Sequence, residues 1–160
     1  MPTPTRSPAV IAFWRAYREA AGLDGDDYDL VAFGDSPAMA DELAALVFAG
    51  TKRATAGLLR DFGEGKEPLP RVGGHAVVVD GRGEPVCVFR TVEARVGPLD
   101  SVDAAFAWDE GEGDRTLADW VAGHHRFFRR QAAREGFEFR PDLETVFERF
   151  RVVWPPQAAD

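Results

Sequence analysis

The stretch GTKRAT, from Gly50 to Thr55, joins the end of a predicted helix to the start of a predicted strand. The residues before it, 46–49, are apolar, and a glycine after such a run is typical of a helix C-terminus. Because Lys52 follows this apolar end so closely, we expect it to lie near the core. A lysine there is either a surface charge or a partly desolvated amine suited to catalysis, and the spacing alone leaves both interpretations open.

The size and composition of the chain indicate one globular domain. It has 160 residues, of which 45% are hydrophobic and 29% are charged, an ordinary mixture for a domain with a sizeable core. The formal net charge of -8 argues against binding to long duplex nucleic acid, where a basic surface usually dominates. A small basic pocket remains compatible with this charge.

The single cysteine, Cys87, and the lack of long apolar runs bear on the compartment. A lone cysteine cannot form an internal disulfide, which favours a cytoplasmic protein. The apolar neighbours of Cys87 predict a buried core residue rather than a nucleophile. The sequence has no run of about 18 apolar residues that would predict a membrane span. Residues 1–6 lack the apolar region of a signal peptide.

Helices and short strands follow one another irregularly along the chain. The spacing of apolar residues predicts four helices, over residues 8–21, from a cap at Asp35 or Ser36 to Gly50, over 104–108 and over 116–134. Predicted strands cover residues 28–33 and 145–153, and a β-hairpin is formed by 75–80 and 85–96. Residues 61–70 are turn-rich and polar, which predicts a loop.

This order of elements indicates the α+β class. The chain has no regular βαβ alternation and no glycine-rich phosphate-binding fingerprint. Strands this short close most naturally into a small mixed β-barrel flanked by helices. We expect a single unit, with an N-terminal helical extension and acidic linker over residues 1–27, the main domain over 28–154 and an exposed tail over 155–160.

The candidate catalytic residues are Lys52, Thr55, Glu110 and Glu112. A lysine that takes a proton from a threonine hydroxyl, with a glutamate holding the lysine, is a workable hydrolytic set. Lys52 and Thr55 are three positions apart, so a regular strand would point them to opposite faces. They share a pocket only if a turn or bulge intervenes. Both glutamates belong to an acidic run, 109–115, that could equally cap the helix after it.

Four further side chains are candidates for substrate binding. Arg53 or Arg71 could hold a phosphate or a carbonyl oxygen. Trp108 could stack on a nucleobase. His124 lies on the apolar face of the longest helix and is either a hydrogen-bonded core residue or part of the site. Three histidines at this spacing are too few for a convincing metal site, so we expect no metal-binding residues.

Several short motifs, in this order along the chain, resemble the ASCH domain family, and in particular its longer bacterial members. They are Gly50-x-Lys52-x-x-Thr55, Arg71-Val72-Gly73 before a valine-rich strand, Glu110-Gly111-Glu112-Gly113-Asp114, Trp120-x-x-x-His124 and Phe127-Phe128. The resemblance covers residues 28–154. It implies a PUA-like β-barrel with a cleft, and a role in RNA or modified-nucleoside metabolism.

The resemblance also implies two hydrolytic activities. Some small ASCH proteins are amidohydrolases that remove the acetyl group from acetylcytidine with a Lys, Thr and Glu set. Lys52 and Thr55 match the first two members of that set, and Glu110 matches the family spacing A-x-x-E, with Glu112 as the alternative. Other, longer members look like ribonucleases acting on single-stranded RNA, in which Lys52 and Arg53 would hold phosphate.

We therefore expect a hydrolase whose partner is single-stranded RNA or a small nucleoside or nucleotide, rather than a membrane or duplex DNA. No cofactor is expected, although the ribonuclease version allows a divalent metal ion. The alternative is a non-catalytic RNA- or nucleotide-binding module. The charge of Lys52 separates the two, because a binding module needs the ammonium and an amidohydrolase needs an amine that can accept a proton.

Overall fold

The computed structural model describes residues 3–160, and it contains four helices and five strands in that range. In chain order the elements are α1 Pro8–Ala21, β1 Asp29–Val31, α2 Pro37–Phe48, β2 Ala54–Leu58, β3 His75–Val79, β4 Pro85–Pro98, α3 Ala104–Glu110, α4 Leu117–Glu135 and β5 Glu144–Trp154. The predicted α+β class is confirmed. The barrel takes the form of a curled five-stranded half-barrel, with the helices packed around it.

The five strands form one sheet in the order β1-β3-β4-β5-β2. Strand β1 runs parallel to β3, and the other three pairings are antiparallel. The first and second strands of the chain therefore lie at the two opposite edges of the sheet. Each edge strand keeps one side free of a neighbouring strand, and curling of the sheet brings these two edges to face one cavity.

Local capping signals set where the first two helices begin. The Ser7 hydroxyl accepts a hydrogen bond from the Val10 amide at 3.2 Å, and the Ser36 hydroxyl accepts one from the Met39 amide at the same distance. Of the two caps proposed for α2, the structure therefore uses Ser36. None of the helices in residues 3–160 combines the length and the apolar character that a bilayer crossing needs.

Three apolar clusters hold the helices against the sheet. Helix α1 contributes Val10, Trp14 and Tyr17 to a cluster with β3 and β4, so the N-terminal helix packs on the sheet directly. Helix α2 packs on the middle of the sheet, and α3 and α4 pack together on β2 and β5. Cys87 is fully buried in the α2 cluster, and burial raises the pKa of its thiol to about 12, as expected of a core residue.

The main difference from the sequence-based expectation is the end of α3. The helix continues to Glu110 instead of stopping at Trp108, so the first two residues of the acidic run are helical. Packing of Phe106 and Ala107 in the α3–α4 cluster carries the helix past the predicted end. Gly111 then ends it in a left-handed conformation, with φ of 73°. The acidic run is therefore divided between a buried helix end and a loop.

Two other expectations are corrected. Strand β1 has three residues, fewer than the six predicted over 28–33, because it pairs with β3 only over that length. The tail after Trp154 is not exposed throughout, since Ala158 is buried against the α2 cluster. Asp160 folds back to accept hydrogen bonds from the Val152 amide and the Arg53 side chain.

Candidate active site

The stretch that carries Lys52 is a short irregular segment between α2 and β2. The amides of Thr51 and Lys52 both donate to the Leu46 carbonyl, at 3.0 and 3.1 Å, which turns the chain at the end of the helix. Gly50 allows this turn with φ of 90°. The Lys52 side chain is thereby directed inward and is only 1% exposed. This burial argues against a surface charge, the first of the two interpretations that the spacing left open.

The C-terminus of α3 is locked against this segment. The Arg53 amide donates to the Asp109 carbonyl at 2.7 Å. Gly111 lies so close that a Cβ atom there would stand 2.2 Å from the Thr51 carbonyl oxygen. This contact places the side chains on either side of Gly111, Glu110 and Glu112, at the Lys52 amine.

The Lys52 amine lies between two carboxylates. Its Nζ donates to Glu112 Oε2 at 2.9 Å and to the Ala54 carbonyl at 2.8 Å, and it lies 3.8 Å from Glu110 Oε1. The same nitrogen lies 5.1 Å from the centre of the Phe33 ring. The two carboxylates and the carbonyl supply the polar partners that a buried amino group needs.

Glu110 is buried and forms an ion pair with His124. Its Oε1 accepts a hydrogen bond from His124 Nε2 at 2.6 Å, and its Oε2 accepts one from Trp120 Nε1 at 2.5 Å. His124 Nδ1 lies 2.9 Å from the Trp120 carbonyl oxygen, and the two rings are stacked with centres 3.7 Å apart. Both ring nitrogens of His124 thus face oxygen acceptors, which only the doubly protonated imidazolium can satisfy.

The environments of the two glutamates move their pKa values in opposite directions. Burial alone would raise the pKa of Glu110, but the charges of His124 and Lys52 and the hydrogen bond from His124 outweigh it and lower the pKa to about 2. Burial raises the pKa of Glu112, and Lys52 offsets this only in part. Burial would lower the pKa of His124, but Glu110 raises it. Such divergence within one cluster is typical of acid–base sites.

Thr55 reaches the same cavity as Lys52. Strand β2 begins only at Ala54, so Lys52 precedes the strand and the alternation of strand faces does not separate the two residues. Both line a cavity of about 280 Å³, together with Glu110, Glu112 and His124. The irregular segment at the helix-to-strand junction thus provides the turn that a shared pocket required. The Thr55 side chain also faces a second, larger cavity on its other side.

The other candidates for substrate binding lie elsewhere. The Arg53 guanidinium is bound by Asp160, at 2.8 Å, and by the Val47 carbonyl, and it does not line the Lys52 cavity. Arg71 forms an ion pair with Asp27 and lines the larger cavity. Trp108 is 57% exposed and lies outside both cavities, with Arg115 stacked on its ring at 3.7 Å.

Three residues of the site have the side chains of a metal centre, which the sequence did not suggest. Glu110, Glu112 and His124 each offer a ligand atom, and these atoms lie within 4.8 Å of one another. Several of these ligand atoms already have hydrogen-bond partners in the protein. Lys52 donates to Glu112, and His124 and Trp120 donate to the two carboxylate oxygens of Glu110. A metal ion would have to displace the Lys52 ammonium, so the donor set fits an internal charge network better.

Two groups of residues around the site were missed by sequence reasoning. Arg126 and Arg130, from α4, line the Lys52 cavity. Glu148, on β5, lines the larger cavity directly across from Thr55. The signal for Glu148 was present in the alternation of β5, because Val146, Phe150 and Val152 share its face and are all buried. A glutamate on such an apolar face is unusual unless another group pairs with its carboxyl group.

Comparison with known proteins gives these features a family context. A family model described as ASCH domain matches residues 29–154. The crystal structure of an ASCH domain from Lactobacillus crispatus JV V101 is similar with a TM-score of 0.80 and 31% identity, over 91% of this chain and 94% of that one. A crystal structure of a protein from Enterococcus faecalis V583 has a TM-score of 0.80 and 33% identity, over 91% and 92%. No curated protein matches the sequence significantly.

Proposed function

Because this chain belongs to the ASCH domain family, we propose that it is a hydrolase of a modified nucleoside or of RNA whose chemistry resides in the Lys52 cavity. The amide-cleaving form, with an acetylcytidine-like substrate, has the stronger support. The observation that carries it is the fully buried Lys52 amine, held by Glu112 at 2.9 Å in a cavity that Thr55 also lines. A buried amine beside a hydroxyl is an arrangement that activates the hydroxyl as a nucleophile.

The proposed first step is attack of the Thr55 hydroxyl oxygen on the carbonyl carbon of the amide. Lys52 accepts the hydroxyl proton after passing one of its own protons to Glu112, whose raised pKa makes it a suitable acceptor. Glu110 stays ionised and keeps the positive charges of His124 and Lys52 in place. The carbon–nitrogen bond then breaks as the nitrogen takes a proton from a general acid and leaves, so that the acyl carbon and Thr55 are joined as an ester. Water hydrolyses this ester in a second step, which releases the acid and restores the Thr55 hydroxyl.

A ribonuclease is the second candidate, and a specific observation favours it. Arg126 and Arg130 lie on one face of α4, four residues apart, and both line the Lys52 cavity. Arg126, together with Arg130, which also donates to Asp35 at 3.1 Å, would hold a phosphate diester beside the buried Lys52 side chain. The net charge of -8 favours short single strands over long RNA as the substrate. A module that binds RNA or a nucleotide without catalysis is the remaining alternative.

The test uses the purified chain with acetylcytidine and, separately, with a labelled single-stranded RNA, each with and without EDTA. Acetate release that falls at least about 10²-fold in Lys52→Ala and Thr55→Val supports the amidohydrolase. RNA cleavage lost in Lys52→Ala supports the ribonuclease, and its loss in EDTA would indicate a metal ion. Lys66→Ala is the matched control, since Lys66 is the other lysine of the chain and is exposed. Binding without turnover of either substrate indicates the binding module.

Lys52→Arg separates a proton acceptor from a fixed charge. Arginine keeps the positive charge but does not accept a proton near neutral pH. An amidohydrolase should lose turnover in this variant while keeping its affinity for the substrate, measured by equilibrium titration. If turnover survives, Lys52 acts as a charge and another group must activate Thr55.

A further inference from the structure

The second cavity of the molecule lies between the two edge strands of the half-barrel. It has a volume of about 400 Å³, and it is lined by residues of β1 on one side and by Thr55, Ala56 and Gly57 of β2 on the other. It shares Phe33, Gly34, Thr55 and Ala56 with the Lys52 cavity. Thr55 therefore stands at the boundary between two cavities, with Lys52 on one side and a larger chamber on the other.

Glu148 is the cross-strand partner of Thr55 in this chamber. The two residues are directly opposite in the antiparallel pairing of β2 with β5, and both line the larger cavity. Side chains of such a pair have Cβ atoms about 5 Å apart and extend to the same face of the sheet. The hydroxyl of Thr91, on β4, donates to Glu148 Oε2 at 2.6 Å. This bond leaves Oε1 free to face a group bound in the chamber.

We propose that Glu148 is a further catalytic residue, which protonates the leaving nitrogen from the side of Thr55 opposite to Lys52. This inference rests on the amidohydrolase form of the proposed function. The larger chamber takes the departing nucleoside, because it adjoins Thr55 and exceeds the Lys52 cavity in volume. Lys52 thus accepts the proton of the Thr55 hydroxyl on one side of the nucleophile, and Glu148 donates a proton to the leaving nitrogen on the other side.

The surroundings of Glu148 suit a group that carries a proton near neutral pH. Burial raises the pKa of Glu148 to about 7, the Thr91 hydrogen bond opposes this rise, and the charge of Asp29 adds to it. In residues 3–160 no Lys, Arg or His nitrogen forms an ion pair with this carboxyl group. The other charged or titratable groups that line the chamber are Arg6, Asp27, Tyr28, Asp29, Glu67, Arg71 and His75. Of these, Arg71 is already paired with Asp27.

The proposed cycle has two half-reactions, acylation of Thr55 and hydrolysis of the acyl-threonine ester. The Thr55 oxygen forms a bond to the acyl carbon as its proton moves to Lys52, and the carbon–nitrogen bond breaks as Glu148 gives its proton to the nitrogen. Glu148, now a carboxylate, takes a proton from the water whose oxygen attacks the acyl-threonine ester. The ester bond breaks, Lys52 returns its proton to the Thr55 oxygen, and the carboxylic acid leaves. Lys52 and Glu148 thereby regain the protonation states with which the cycle began.

The experiment compares an amide with an ester whose leaving group needs no proton. Wild type, Glu148→Gln and Thr55→Val are assayed with acetylcytidine and with p-nitrophenyl acetate. Glu148→Gln should reduce amide turnover about 10²-fold and leave ester acylation nearly unchanged. Thr55→Val should lose both activities. Glu144→Gln, which removes an exposed carboxylate four residues earlier on β5, is the control and should match the wild type.

Thr91→Val gives a second measurement that keeps the Glu148 side chain. Without the hydrogen bond from Thr91 the pKa of Glu148 rises, so the alkaline limb of the amide pH–rate profile should move to higher pH. In Glu148→Gln this limb should be absent. Amide turnover by Glu148→Gln at the wild-type rate, or an unmoved limb in Thr91→Val, overturns the role of Glu148 while leaving the amidohydrolase intact. If the wild type cleaves neither substrate, the proposed amidohydrolase fails, and the role of Glu148 fails with it.

Discussion

At the scale of single residues, the Glu110–His124 pair determines how the site responds to pH. The pKa of Glu110 is lowered, so its contribution to stability is present above about pH 4.5 and is lost as the pH falls toward 2. The pKa of His124 is raised, so its contribution is present below about pH 6.5 and is lost as the pH rises through the folded-state value. The pair therefore stabilises the fold most between these two limits.

A double-mutant cycle with Glu110→Gln and His124→Gln tests this pH dependence. Each single variant leaves one buried charge without its partner, so we expect each to lower the free energy of unfolding by about 3 kcal/mol near pH 5.5. The coupling energy should be smaller at a higher pH, above the raised folded-state pKa of His124, because the imidazole then loses its charge. The measurement is denaturant unfolding at both pH values. A coupling energy that does not change between them would contradict the charged pair.

Four of the residues that sequence reasoning brought together do surround one cavity, although Glu112 lies 60 positions from Lys52 in the chain. Lys52, Thr55 and the two glutamates surround one cavity because Gly50 and Gly111 fix the segments that carry them. Arg53 was expected at a phosphate, but its partner is Asp160, 107 positions away. The orientation of an arginine side chain depends on such distant contacts, which a motif does not contain.

At the scale of elements, the site depends on how α3 docks on the segment between α2 and β2. Gly111 ends α3 with a positive φ, and its backbone contacts Thr51 and Lys52 with no space for a side chain. The last turn of α3 holds Glu110, and the residue after the glycine is Glu112. The fit of this single contact therefore controls the distances from both carboxylates to the Lys52 amine.

Gly111→Ala should be much more damaging than the same change at the end of α4. Alanine at Gly136 has to adopt φ of 77° but meets no atom within 4 Å, so it should cost about 1 kcal/mol for the left-handed conformation alone. Alanine at Gly111 has the same backbone cost, and its Cβ would also stand 2.2 Å from the Thr51 carbonyl oxygen. We expect it to cost at least about 3 kcal/mol. Denaturant unfolding of both variants measures the difference.

Equal losses in the two variants would show that α3 can shift without cost. A displaced α3 would also move both glutamates away from Lys52. If the cluster is built as described, Gly111→Ala should reduce ligand affinity or turnover more than Gly136→Ala does, even under conditions where both variants remain folded.

Elements whose ends carry local signals could be predicted from the sequence. Helix α1 has a serine cap, a proline in its first turn and a glycine at its end, and the structure keeps all three. The hairpin of β3 and β4 follows from alternating apolar residues around a tight link. The end of α3 could not be predicted, because packing of Phe106 against α4 and β5 extends it over residues whose sequence resembles a loop.

At the scale of the whole molecule, the C-terminal residue Asp160 contacts the segment that carries Lys52 through the Arg53 side chain. Asp160 accepts hydrogen bonds from Arg53 and from the Val152 amide, and its own amide donates to the Val152 carbonyl at 2.9 Å. Arg53 also donates to the carbonyls of Val47 and Lys52. The C-terminal segment, the end of α2 and the segment that carries Lys52 are therefore joined through one guanidinium group.

Removal of the Asp160 charge should weaken this junction. Burial alone would raise the pKa of Asp160, but its hydrogen bonds and the charge of Arg53 lower it, so its contribution is present above about pH 3.8 and is lost as the pH falls. Asp160→Asn should lower the free energy of unfolding by about 1 kcal/mol near neutral pH, because the pair is only partly exposed. Asp142→Asn is the matched control, since its pair with Arg140 is local and more exposed, and it should change stability less than Asp160→Asn does. Equal effects of the two variants in denaturant unfolding would show that the C-terminal residues do not support the junction.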